Sequence, residues 1–139
     1  MQKHVSSIFN NLKIAEELRL KLVNLFKKIL KKYPNELKPH ISDLSKMLGV
    51  ILKDQFPDIK VSVSQFISEL SKEMKDDIGN YAKQIIESLC LNMKHQHNKI
   101  RKISTISLVD LLLCHEAGNL IDECIPSFTI ISNDKNKDT

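Results

Sequence analysis

Two imidazoles stand two residues apart in His95-Gln96-His97, with Lys99 and Arg101 just behind them. Neutral imidazoles so spaced on a turn can share a metal ion, and the cations can meet phosphate. A structural zinc site needs about four ligands, and neither a Cys nor a carboxylate stands close enough to complete one. The sequence Cys114-His115 lies a whole helix later, so a plain turn between helices outweighs a metal site. A second cluster, Lys27, Lys28, Lys31 and Lys32, gathers cations within two helical turns, with Lys21 upstream. Lys28, Lys31 and Lys32 share a face by i, i+3 and i, i+4 spacing and could meet an acidic partner. Without interleaved aromatics they do not read as a nucleic-acid motif, and lysines at a helix C-terminus also suit its dipole.

A third set recurs. Lys60 minus Arg19 is 41 and Arg101 minus Lys60 is 41, and each cation follows Leu18, Ile59 or Ile100. A cation at the start of each second helix can reach a neighbouring bend and satisfy carbonyls or an Asp there, which favours a structural role. The pairs Asp76-Asp77 and Asp122-Glu123 fall beside helix ends and complement the dipole. No nucleophile stands with a base, no Gly-rich loop could cradle a phosphate, and the sequence implies no cofactor and no enzyme.

The elements that must position these residues are helical. With only three Gly and four Pro, there is little material for the turns of a strand-rich fold. The net charge of +4 divides unevenly: residues 1–60 carry twelve basic and six acidic side chains, and 61–139 carry nine and eleven. A +6 half can meet an acidic surface or simply face water. Cys90, Cys114 and Cys124 are odd in number and lack C-x-x-C spacing, which fits free thiols in a reducing compartment. No apolar run reads as a signal peptide or a membrane span, so the expected setting is cytoplasmic.

Along the chain, Val5, Ile8, Phe9 and Leu12 mark the remnant of a helix. Glu16 and Glu17 open the next, whose expected stripe is Leu18, Leu22, Leu25, Phe26, Ile29 and Leu30, stopping at Tyr33-Pro34-Asn35. A first arm opens at Glu36 and carries Leu37, Ile41, Leu44, Leu48, Ile51 and Leu52. The bend Phe56-Pro57-Asp58 follows, then a second arm with Ile59, Val63, Phe66, Ile67, Leu70 and Met74. The next arm starts near Ile78 and turns Tyr81, Ala82, Ile85, Ile86, Leu89, Cys90 and Met93 inward. After His95-Gln96-His97-Asn98, an arm apolar on most sides runs to a Gly118 cap, as expected of a helix covered on both flanks. Sliding the sequence by 41 superposes Phe26, Ile67 and Leu108, then Ile29, Leu70 and Leu111. On the first arms it superposes Leu37 with Ile78, Leu44 with Ile85, Leu48 with Leu89, and Leu52 with Met93. Ser104, under Leu22 and Val63, is the misfit.

The expected fold is thus an all-α solenoid of antiparallel helical hairpins in one domain, 1–139. Its units are 3–33 with a shortened first arm, 36–77, 78–118, and 119–139 as a first arm alone. A lone arm would leave a face uncovered, so either a fragment of a longer array or a shortened gene product is expected.

The pattern resembles HEAT repeats, which tend to carry a Pro in the first helix, an Asp at the bend and a Val or Ile followed by a cation. Asp54, Ile59 and Lys60 fit the bend, where Pro57 is a further structural position, and Pro126 and Asp134 fit the first two elements of the fourth unit. Elsewhere His95 and Lys13 replace the Asp, so the ladder of Asp and Arg between units is expected to be incomplete. Among HEAT proteins, Glu16-Glu17-Leu18-Arg19-Leu20, the bend 54–60 and His95-Gln96-His97-Asn98-Lys99-Ile100-Arg101 are similar to the cytoplasmic assembly factors of axonemal dyneins. That resemblance implies a protein-binding scaffold whose partners are dynein chains or assembly co-factors, with no small-molecule substrate. The other readings are an importin-like transport adaptor and a basic helical bundle binding lipid or nucleic acid.

Overall fold

A computed structural model describes residues 16–114 and residue 117. Helix α1 (Glu16–Lys32) has Glu16 and Glu17 in its first turn and Lys31 and Lys32 in its last, so charge complements the dipole at both ends. Tyr33 ends it, and Pro34, whose fixed φ suits a first helical position, starts the short α2 (Pro34–Leu37) at once. A 3-10 turn, Lys38–His40, takes up Pro39 before α3 (Ile41–Ile51). The first arm therefore opens at Pro34 rather than Glu36, and as a broken helix.

Helix α4 (Pro57–Glu73) again begins on a proline, with Phe56 extended before it at φ −88° and ψ 123°. The bend thus lies at 52–56, and Pro57 and Asp58 belong to the helix instead of the turn. A 3-10 turn, Ile78–Tyr81, leads into α5 (Lys83–Asn92), and His97, extended at φ −90° and ψ 125°, precedes α6 (Asn98–Leu112).

These elements stack as an α-solenoid of antiparallel hairpins: α4 packs between α1 and α6 in one layer, and α3 packs on α5 in the other. The hairpin partners α3 with α4 and α5 with α6 join the layers. The 41-residue columns stay together. Ile67, Leu70, Leu108 and Leu111 are fully buried, and Phe26 and Ile29 pack half-buried against the same core. Leu48, Leu52, Ile85, Leu89 and Met93 line the other layer in that core, each at most 3% exposed. A large buried side chain contributes about 1.5–3 kcal/mol, so these columns hold the stack.

Small residues set the spacing between units. A Cβ on Gly49 would stand 3.3 Å from Gln84 Cβ, and Ser88 Oγ donates to the Gly49 carbonyl at 2.8 Å. Between α4 and α6, Ser107 Oγ donates to the Ser64 carbonyl at 2.6 Å and Ser68 Oγ donates to Ser107 Oγ at 3.1 Å. Hydroxyls this short let two helix backbones approach while satisfying their own polar atoms, which hydropathy alone does not reveal.

Three expectations need correction. Leu18 and Leu25, expected in the buried stripe of α1, are 49% and 50% exposed. Leu30 is buried as expected, with Leu22, Phe26 and Ile29 packed partly buried against the core, and the buried face also takes in Arg19 and Val23, because α4 covers α1 from one side. Tyr81, expected to face in, is exposed because it ends a 3-10 turn whose buried positions are Ile78 and Gly79. Helix α6, expected to be covered on both flanks, exposes Ile106 and Val109 and the adjoining Leu113, and among the described residues it packs toward α4, α5 and the Ile78–Tyr81 turn. The segments 3–12 and 119–139, the Gly118 cap, Pro126, Asp134 and Cys124 lie outside the described residues.

Candidate functional site

The recurring cations are held at the bends. Arg19 Nε donates to Asp54 Oδ2 at 2.8 Å, and Nη2 donates to Oδ1 at 3.4 Å, linking α1 to the next unit's bend. Both side chains are about nine-tenths buried, and the Arg19 guanidinium stands 5.3 Å from the centre of the Phe56 ring. Asp54 Oδ1 also accepts the Phe56 backbone N–H at 3.0 Å.

Lys60, one step on, donates from Nζ to the Leu52 carbonyl at 2.8 Å and to Asn92 Oδ1 at 2.9 Å. Asn92 Nδ2 donates to the same Leu52 carbonyl at 3.0 Å. Burial holds the Lys60 pKa below its ordinary value, and Asp54 partly opposes this. Arg101 turns back to its own bend, where Nη1 donates to the carbonyls of His95 at 2.8 Å and Gln96 at 3.0 Å. Among the described residues the three cations thus form a ladder of bend contacts.

The imidazoles of His95 and His97 lie 5.1 Å apart between ring centres, and His95 Nδ1 accepts the His97 backbone N–H at 3.0 Å. A ring nitrogen used this way is not free for a metal, and among the described residues no three His, Cys, Asp or Glu side chains gather to hold one. Burial, then the charges of Lys60, His97 and Arg101, push the His95 pKa down. Cys114 is buried with its thiol 3.3 Å from the Ser71 carbonyl, and burial raises its pKa, so it packs as a small hydrophobe. Cys90 is half-buried and free.

The lysines of α1 do not simply fan into water at a helix end. Lys27 donates to Gln65 Oε1 of α4 at 3.2 Å, and burial lowers its pKa against the opposing pull of Glu69. Lys27, Lys28 and Lys31 line one side of a cavity of about 360 Å³ that Glu69, Lys72 and Glu73 of α4 close on the other. Lys32 is exposed beside it. Asn92 is the residue that sequence reasoning missed, since one Asn at the end of an apolar arm resembles a turn residue until Lys60 is placed against it.

This geometry, two helix layers tied by a ladder of cations at the bends, defines a helical-repeat solenoid. The chain belongs to the family described as Dynein axonemal assembly factor 5-like, TPR repeats, whose model matches residues 9–138. That description names TPR repeats, of about 34 residues each. Here the polar links between neighbouring units join residues 32–43 apart, and the buried apolar columns recur at 41, closer to the HEAT period. The chain is 23% identical over 112 residues to dynein axonemal assembly factor 5 of Xenopus laevis, covering 81% of this chain and 13% of that protein. It is 26% identical over 114 residues to dynein axonemal assembly factor 5 of Mus musculus, covering 82% of this chain and 13% of that protein.

Proposed function

We propose that the chain is a non-catalytic protein-binding scaffold that supports the cytoplasmic pre-assembly of axonemal dynein arms. Units 36–77 and 78–118 are its building blocks, Arg19, Asp54, Lys60 and Arg101 their structural joints, and dynein chains or assembly co-factors its partners. The observation that carries this reading is the family match across residues 9–138. The relatives it resembles are named for dynein assembly, and stacked hairpins offer an extended surface suited to holding partners. Among the described residues no helix is long and apolar enough to cross a membrane.

The test is recovery of the tagged chain from ciliated cells, paired with disruption of its gene. Dynein intermediate or heavy chains should co-purify, and dynein arms should be lost from cilia. Clean recovery without them, together with normal arms after disruption, overturns the assignment.

A further inference from the structure

One 41-residue step carries the exposed Asn24, Lys28 and Lys31 of α1 onto exposed positions of α4 and then onto α6, so this part of the layer's outer face can be read row by row. The row Lys31, Lys72, Leu113 passes from cation to cation to a leucine that is 75% exposed. The row Asn24, Gln65, Ile106 passes from amide to amide to an isoleucine that is 54% exposed. Between them the row Lys28, Glu69, Asp110 passes from cation to carboxylate, so the face is basic at α1, mixed at α4, and at α6 apolar on either side of the half-buried Asp110. Lys28, Lys31 and Lys72 carry no ion pair among the described residues, and the cavity between α1 and α4 opens among them. A large exposed apolar side chain where the preceding unit has a polar one is not accounted for by packing among the described residues, and contiguous apolar patches mark contact surfaces.

We propose that this face of α1, α4 and α6 docks a polypeptide segment with carboxylates at one end and apolar side chains at the other, laid across the three helices. This deepens the scaffold reading above and rests on it. Helices packed about 8–10 Å apart put the two ends roughly 16–20 Å from each other, the reach of about six extended residues. The occupant is a peptide rather than an anionic membrane or a nucleic-acid backbone, because Glu69 lines the cavity between the basic and apolar ends. A continuous sheet or string of negative charge would be repelled there, whereas a peptide can place its carboxylates against the lysines alone.

The probe is a fluorescent peptide with glutamates in one half and leucine and phenylalanine in the other, titrated by anisotropy against the full chain. A peptide of the same composition in scrambled order is the control. Lys31→Glu with Lys72→Glu should weaken binding about tenfold or more, and the native affinity should fall with salt. Ile106→Ser with Leu113→Ser should weaken it comparably and leave the salt dependence intact. All four positions are exposed, and circular dichroism should show unchanged helicity. Equal affinity for the scrambled peptide, native affinity in both variants, or binding to phosphatidylserine vesicles in place of the peptide overturns the proposal. Dynein chains co-purifying equally with native chain and both variants would refute this face while leaving the scaffold standing. Discrimination of the peptide without any dynein recovery would keep the face and remove the dynein assignment.

Discussion

At the bend between α3 and α4, the Asp54 carboxylate accepts the Phe56 N–H and pairs with Arg19 of the preceding unit. At the bend between α5 and α6, 41 residues later, His95 stands in the same place and its Nδ1 accepts the His97 N–H. The backbone role is kept, but a neutral imidazole offers no charge to a cation. Lys60, the counterpart of Arg19, goes instead to Asn92 and the Leu52 carbonyl. A repeat can thus change its chemistry at one rung, provided that another acceptor stands near enough to take the cation.

The sharpest way to break this comparison is at the charged rung. Arg19→Met leaves the Asp54 carboxylate nearly buried with only the Phe56 N–H, and removal of one partner from such a pair costs about 3 kcal/mol. Urea unfolding should show that loss, and Asp54→Asn in the same background should recover part of it. A change under about 0.5 kcal/mol would mean that the pair is solvated and not a joint. At the neutral rung, Asn92→Ala leaves Lys60 with one acceptor and should cost about 2 kcal/mol. The deficit at Asn92 should be the smaller of the two.

The apolar columns behind these rungs were legible because the hydrophobic period and the 41-residue step reinforce one another. Leu48 with Leu89 and Leu70 with Leu111 are buried as their spacing implies. Asp54 and Lys60 were visible as a bend signature. Lys60 meeting Asn92 was not, because the contact joins residues 32 apart, and no local pattern singles out that asparagine. Leu18 and Leu25 misled for a related reason: helical periodicity finds an apolar stripe but cannot say which neighbour covers it. The serines between α4 and α6 were opaque too, since hydropathy reads Ser64, Ser68 and Ser107 as surface where packing uses them as spacers.

A change of pH sharpens the comparison from the other side. Protonating His95 would remove the acceptor for the His97 N–H and set a positive charge near Lys60 and Arg101, and its pKa in the fold lies below the ordinary 6.5. The unfolded chain therefore takes up the proton first as pH falls, and the linked stability is present above the unfolded value. It is lost as pH drops through the folded one. Thermal unfolding should occur at lower temperature near about pH 5 than near about pH 7.5. His95→Asp should restore the carboxylate of the first bend, gain about 1 kcal/mol at neutral pH and flatten this part of the profile. An unchanged profile in the variant would show that other groups carry the acid sensitivity.

The smallest effect belongs to the second arms themselves. Val63 in α4 and Ser104 in α6 hold the same position, and both are fully buried. The Ser104 hydroxyl, however, finds no hydrogen-bond partner among the described residues. An unmade hydrogen bond in the interior costs free energy that an apolar group of like size does not. Ser104→Ala removes the oxygen, keeps the helix and adds no volume, so it should stabilise by about 0.5–1 kcal/mol. Ser104→Val, which copies α4, should gain more only if the pocket around position 104 has the room that Val63 enjoys. If it has not, overpacking against the close α4–α6 contact set by Ser64 and Ser107 should cancel the gain. Should alanine destabilise instead, the hydroxyl has a partner that the serine needs, and the two second arms are more alike than their side chains imply.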